Sequence, residues 1–281
     1  MNRILCFLVI SVAGVCAASG GYGSIHHSEI TSSSPATDDY QINVLETYTI
    51  DYAYSILGIT AAGDAILFVD GSETGEKLYV ADIWDLAYAG EFDLSWSNAL
   101  PFGVAYDGIL PYVNDFGDGL IRYGFDFSSS FTNPFDTEGR GMDYDGTDIW
   151  EVSGGGTTDA MVGKFNTSGG GFQSWNLPGV DLLLSGMTLY TIAGSTGIAV
   201  TAYDAGATDH FIWFYEFDGS ACTLLGSAEI PSNSVTTGLA YSSYTETWFV
   251  AYLDGDWKIS EFEVEQTALA RTTWGNIKTM F

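Results

Sequence analysis

GMDYDGTDIWEVS, residues 141–153, opens on a glycine, passes through a short strand to an Asp145-Gly146 turn, and returns through a second strand of Ile, Trp and Val. The same order recurs at residues 58–70 (GITAAGDAILFVD), 103–115 (GVAYDGILPYVND) and 238–254 (GLAYSSYTETWFVAYLD). A further copy at 186–204, GMTLYTIAGSTGIAVTAYD, lengthens the first turn. The leading glycines Gly58, Gly103, Gly141, Gly186 and Gly238 are 45, 38, 45 and 52 residues apart, by subtraction of those positions. A period of about 40 to 50 residues marks a unit of four strands that cannot bury its faces alone and must stack against its neighbours. The sequence therefore predicts an all-β, five-bladed β-propeller.

Outward from the glycine starts, each copy continues into a third strand with period-two alternation: KLYVADI from Lys77, LIRYGFDF from Leu120, AMVGKFNT from Ala160, FIWFYEFD from Phe211 and WKISEFEV from Trp257. Fourth strands are readable from Ala87, Gly171 and Cys222. Their β-branched and aromatic residues suit a pleated sheet. Asp107-Gly108 and Asp145-Gly146 stand where a two-residue hairpin needs positive φ. The last copy lacks a fourth strand, while residues 41–50, QINVLETYTI, form an orphan strand ahead of the first copy. Pairing the orphan with the last blade closes the ring and leaves no open sheet edge.

Composition agrees: 34 Gly, 15% aromatic and 46% hydrophobic residues suit many short buried strands. One propeller domain is expected over 40–281. A Gly/Ser-rich linker is expected over 19–39, and a signal peptide over 1–18, where Arg3 precedes an apolar run and Val15-Cys16-Ala17-Ala18 offers a cleavage site. Secretion to the periplasm, the cell surface or the medium follows, without a membrane span, because the apolar run is too short. Val15 before Cys16 departs from the small residue that lipid attachment wants. Residues 268–281 place Trp274, Ile277 and Phe281 at helical spacing, either as a cap on the propeller or as a docking tail.

Eight basic against 36 acidic residues give a net charge of −28, which repels nucleic acid and anionic lipid. The loops joining second to third strands share one face. They carry Asp70, Glu73 and Glu76; Asp115 and Asp118; Asp159; Asp204 and Asp209; and Asp254 and Asp256. Oxygen ligands on such loops suit Ca²⁺, with Asp115, Asp118, Asp159, Asp204, Asp209, Asp254 and Asp256 as candidate ligands. Asp is equally an ordinary turn residue, so a solvated acidic rim is the alternative. Asp143 takes a place where other copies carry Thr60, Ala105, Thr188 and Ala240, which points it into or beside the central channel. It can orient a ligand there, or hydrogen-bond neighbouring backbone groups. Trp96 and Trp175 are candidates to stack on a sugar.

The run at 141–152, echoed by GVAYDG and GLAYSS, resembles the repeats of secreted bacterial propellers in the YncE-like and glutamine cyclotransferase-like grouping. The resemblance implies fold and export; no active-site residue of those families maps onto this chain. Two functions are then in play. One is a non-enzymatic propeller that binds a protein or carbohydrate ligand or builds the cell surface. The other is a hydrolase or lyase acting on carbohydrate through Asp143 and a rim carboxylate, since such chemistry needs a pair.

Overall fold

The computed structural model describes residues 40–71, 75–94, 101–156, 158–192, 194–203, 210–230 and 235–266. The leader, the linker, Trp96, Glu73, Asp204, Asp209 and the tail lie outside the described residues. The described chain forms five antiparallel four-stranded sheets arranged as blades. The first blade is β2 (Gly58–Ala62), β3 (Ala65–Asp70), β4 (Lys77–Asp82) and β5 (Tyr88–Asp93). The second is β6 (Pro101–Tyr106), β7 (Pro111–Asp115), β8 (Leu120–Tyr123) and β9 (Ser129–Thr132), followed by a 3-10 turn at Asp136–Glu138. The third runs through β10 (Gly139–Tyr144), β11 (Asp148–Gly155), β12 (Thr158–Asn166) and β13 (Gln173–Asn176). The fourth is β14 (Leu183–Ile192), β15 (Ser195–Tyr203), β16 (Phe211–Phe217) and β17 (Cys222–Glu229).

The fifth blade is β18 (Thr236–Ser242), β19 (Thr247–Asp254) and β20 (Asp256–Gln266), completed by β1 (Tyr40–Thr49) from the other end of the described chain. β1 lies antiparallel on β20 from Tyr40↔Gln266 to Thr49↔Lys258, slipping once between Val44 and Glu46. The expected closure is therefore present, and it hides the edge that β20 would otherwise expose.

The recurring glycines have a steric origin. A Cβ on Gly58 would strike the Phe102 carbonyl oxygen, and one on Gly103 the Arg140 carbonyl. On Gly141 it would lie 2.5 Å from Met187 N, on Gly186 2.7 Å from Leu239 N, and on Gly238 2.9 Å from Ile59 N. Each glycine thus meets the next inner strand, and the fifth returns to the first. The strands converge on the axis too closely for any side chain at that level.

Blade strands bury both faces. On β3, Ile66 and Phe68 pack with Phe249, Ala251 and Ile259 of the fifth blade. On β11, Trp150 and Val152 join Met187, Ile198, Val200 and Trp213 of the fourth, whereas Ile149 faces Tyr112 and Ile121 of the second. The second blade's outer strand β9 is short and mostly exposed. Its Ser-Ser-Phe-Thr carries no alternation a sequence reading could find. The two Asp-Gly turns differ from the two-residue expectation. Gly108 and Gly146 do take positive φ, at 91° and 95°. The flanking pairs, however, are Tyr106↔Pro111 and Tyr144↔Ile149, because Asp107 Oδ1 accepts Ile109 N and Leu110 N while Asp145 Oδ1 accepts Thr147 N and Asp148 N. The carboxylate replaces the missing ladder partners and widens the turn.

Candidate functional site

The inner strands wall the central channel, and among β2, β6, β10, β14 and β18 only β10 carries charge, at Arg140 and Asp143. Asp143 is half-buried. Its Oδ1 accepts Tyr144 N at 2.8 Å; its Oδ2 accepts Leu189 N at 2.7 Å and Thr188 Oγ1 at 2.8 Å. The Thr188 hydroxyl in turn accepts Tyr241 N at 2.9 Å. One carboxylate and one hydroxyl therefore tie the third, fourth and fifth blades together. Burial raises the Asp143 pKa above the usual carboxylate range, against these hydrogen bonds, which favour the charged form.

Arg140 is buried at the opposite end of β10, at 5% exposure. Its Nη1 donates to the Gly139 carbonyl at 3.0 Å and the Thr137 carbonyl at 3.5 Å. The guanidinium lies 5.0 Å from the Phe102 ring centroid and 4.3 Å from that of Phe116, a cation–π contact with each of two inclined rings that stand 6.4 Å apart. Burial lowers its pKa to about 10, so it stays charged at neutral pH.

Beside Arg140 lies a group that sequence reading missed. Glu151, fully buried on β11, turns toward the second blade. Its Oε1 accepts Asn114 Nδ2 at 2.6 Å and Asn133 Nδ2 at 2.9 Å. Asn114 also donates to the Arg140 carbonyl at 2.7 Å and accepts Gly103 N at 2.5 Å. Glu151 Oε2 is buried with no hydrogen-bond partner among the described residues. Burial pushes its pKa up to about 7, with Asn114, Asn133 and Arg140 pulling the other way. The available signal was an acid interrupting the apolar strand Ile149-Trp150-Glu151-Val152.

The rim carboxylates divide. Asp70 is buried and accepts Tyr54 N, Ser55 N and Ser55 Oγ within 3.0 Å, fixing the segment between β1 and β2. Asp115, also buried, accepts Gly117 N at 2.9 Å. Asp118 pairs with Arg122 at 2.5 Å and Asp254 with Lys258 at 2.7 Å. Asp159 and Asp256 are exposed. Burial raises the Glu76 pKa, and the fields of Asp115 and Asp70 raise it further. Among the described residues, no three His, Cys, Asp or Glu side chains gather as the ligands of one metal ion. Trp175 is half-buried between blades, its ring 5.8 Å from Trp150 and 4.6 Å from Phe217.

No protein-family model matches the chain, and no curated protein matches its sequence. Solved structures do match its shape. The crystal structure of Myxococcus xanthus glutaminyl cyclase is similar at a TM-score of 0.60 and 13% identity, over 81% of this chain and 98% of that one. Kuenenia stuttgartiensis hydrazine synthase is similar at 0.48 and 12% identity, over 79% and 68%. The first likeness agrees with the five-bladed ring and with the blade resemblance read from residues 141–152; it is a likeness of fold. No helix of the described residues is long and apolar enough to cross a membrane.

Proposed function

We propose that this chain is a secreted, non-enzymatic propeller that binds a ligand or builds a cell surface, with an acidic rim neutralised by divalent cations. The observation that supports it is the use made of the channel's charges. Asp143 spends both oxygens on hydrogen bonds, Oδ2 to the fourth blade and Oδ1 to Tyr144 N of its own strand, and Arg140 is buried against the Phe102 and Phe116 rings. Groups so engaged hold a ring together and are poorly placed to move a proton on a substrate. The rival is an enzyme of the glutaminyl cyclase kind or one acting on carbohydrate. The test is to incubate the purified chain with peptides bearing N-terminal glutamine and with oligosaccharides. Turnover that Asp143→Asn abolishes would overturn the proposal; no turnover by the folded protein is expected.

Ca²⁺ is the cation the rim's oxygen ligands suit. An ion that binds only the folded state stabilises it by RT ln(1 + [L]/Kd), about 2.7 kcal/mol at a hundredfold excess over Kd. Melting in millimolar CaCl₂ should exceed melting in NaCl of matched ionic strength. The gain should shrink when Asp159, Asp204, Asp209 and Asp256 become Asn. Equal melting in the two salts would leave screening alone.

A further inference from the structure

On the face opposite the rim, two large rings stand in solvent side by side. Trp84, in the turn between β4 and β5, is 62% exposed; Tyr244, in the turn between β18 and β19, is 58% exposed. Their centroids are 5.8 Å apart with planes at 63°, so the rings make an open corner across the seam of the first and fifth blades. The corner is held in place. Asp82 Oδ1 accepts Trp84 N at 2.8 Å, the Trp84 carbonyl accepts Tyr48 Oη at 3.2 Å, and the Leu86 carbonyl accepts Tyr52 Oη at 2.8 Å. Buried Leu86 pins the same turn, and Ser242 Oγ accepts Tyr244 N at 3.2 Å. Exposing rings on a rigid support costs hydrophobic free energy that burial would have recovered.

The surroundings are acidic. The fields of Glu261, Glu46 and Asp85 all reach the Tyr48 hydroxyl that bonds to Trp84, and Glu246 acts on neighbouring Tyr241. No cation of the described chain attends them. Lys77 pairs with Glu91 and Asp93, Arg122 with Asp118, Lys164 with Asp148 and Lys258 with Asp254, while Arg140 is buried on β10. Aromatic faces attract a cation through the ring quadrupole, best where the cation is weakly hydrated. The carboxylates add long-range attraction, and the net charge of −28 does the same at larger distance.

We infer that the Trp84–Tyr244 corner is a binding site for a small organic cation of the quaternary-ammonium class. It is independent of the rim and of any chemistry at Asp143. The probe is choline, against 3,3-dimethylbutan-1-ol, its neutral isostere. The readout is the Trp84 indole N–H resonance, assigned by its disappearance in Trp84→Phe, and for variants without Trp84 the saturation-transfer signal of the choline methyl protons. Choline should shift it saturably in the millimolar range, and the isostere should bind at least about tenfold more weakly. Trp84→Ala and Tyr244→Ala, both at exposed positions, should each weaken choline binding about tenfold while leaving the melting temperature nearly unchanged. Asp85→Asn should weaken it severalfold and flatten its salt dependence. The inference is overturned if no saturable shift appears, if the isostere binds as well as choline, if a glucose oligomer binds more tightly, or if Trp84→Ala binds choline undiminished.

Discussion

Between the second and third blades the chain buries a carboxyl, two amides and a guanidinium, whereas between the fifth and first it buries isoleucines, phenylalanines and tyrosines. Both seams join blades of the same design, and both contain apolar side chains. The apolar seam depends on area and shape, so many residues would serve. The polar seam depends on specific donors, because each buried polar atom without a partner costs about 1–3 kcal/mol. One seam is therefore tolerant and insensitive to pH, the other specific and titratable.

The sharpest way to break the apolar seam is to remove its closing strand. Without residues 40–49, β20 keeps β19 but loses its outer partner from Lys258 to Gln266. Loss of cooperative unfolding by circular dichroism, with aggregation in size-exclusion chromatography, is the expected outcome. A monomer melting as the full chain does would disprove the closure.

Next in size are the glycines that both kinds of seam share. In Gly186→Ala the added methyl would meet backbone, with Leu239 N at 2.7 Å and Gly238 Cα at 2.8 Å. Backbone cannot swing away, so a loss of about 3 kcal/mol is expected in denaturant unfolding. Gly108→Ala is the control. It has open space around it but φ at 91°, which predicts a smaller cost of about 1 kcal/mol.

The polar seam should reveal itself through pH. Glu151 titrates near 4.5 when unfolded and about 7 in the fold. The folded state then holds its proton more tightly, so stability falls as pH rises from 4.5 to 7. The interval caps that loss at about 3 kcal/mol. Glu151→Gln keeps an oxygen for Asn114 and Asn133 and should flatten the slope, leaving the variant the more stable protein at pH 8. An unchanged slope would place the titration elsewhere.

These differences also explain what the sequence made legible. The five glycines were visible because one steric requirement, the close approach of inner strands, repeats once per blade. The closing strand was visible because the last copy lacked a fourth strand while QINVLETYTI stood unassigned ahead of the first. Strand β9 was not, since Ser129–Thr132 lies mostly exposed and needs no apolar face. Asp143 could be aimed at the channel by alignment, but its partners Thr188 and Leu189 lie 45 and 46 residues away. Asn114 and Asn133 stand 37 and 18 residues from Glu151. Strand period says which face a residue takes, not which donor waits in the next blade. For the same reason, buried Asp70 and Asp115 could not be told from exposed Asp159 and Asp256 on the rim.

The central claim is that the channel's charges serve the ring and not a reaction, and Asp143→Asn tests it most directly. The asparagine amide would turn a nitrogen toward either Tyr144 N or the pair Thr188 Oγ1 and Leu189 N, so at least one hydrogen bond is lost. Because burial raises the Asp143 pKa, the neutral amide relieves that burial at pH 8 while the lost hydrogen bond, about 1–2 kcal/mol, opposes it. The ring's bonds are therefore isolated by coupling: in a double-mutant cycle of Asp143→Asn with Thr188→Val, chemical unfolding should show about 1 kcal/mol of interaction energy between the two positions. Additive losses would contradict the account and leave Asp143 as a group kept for a substrate.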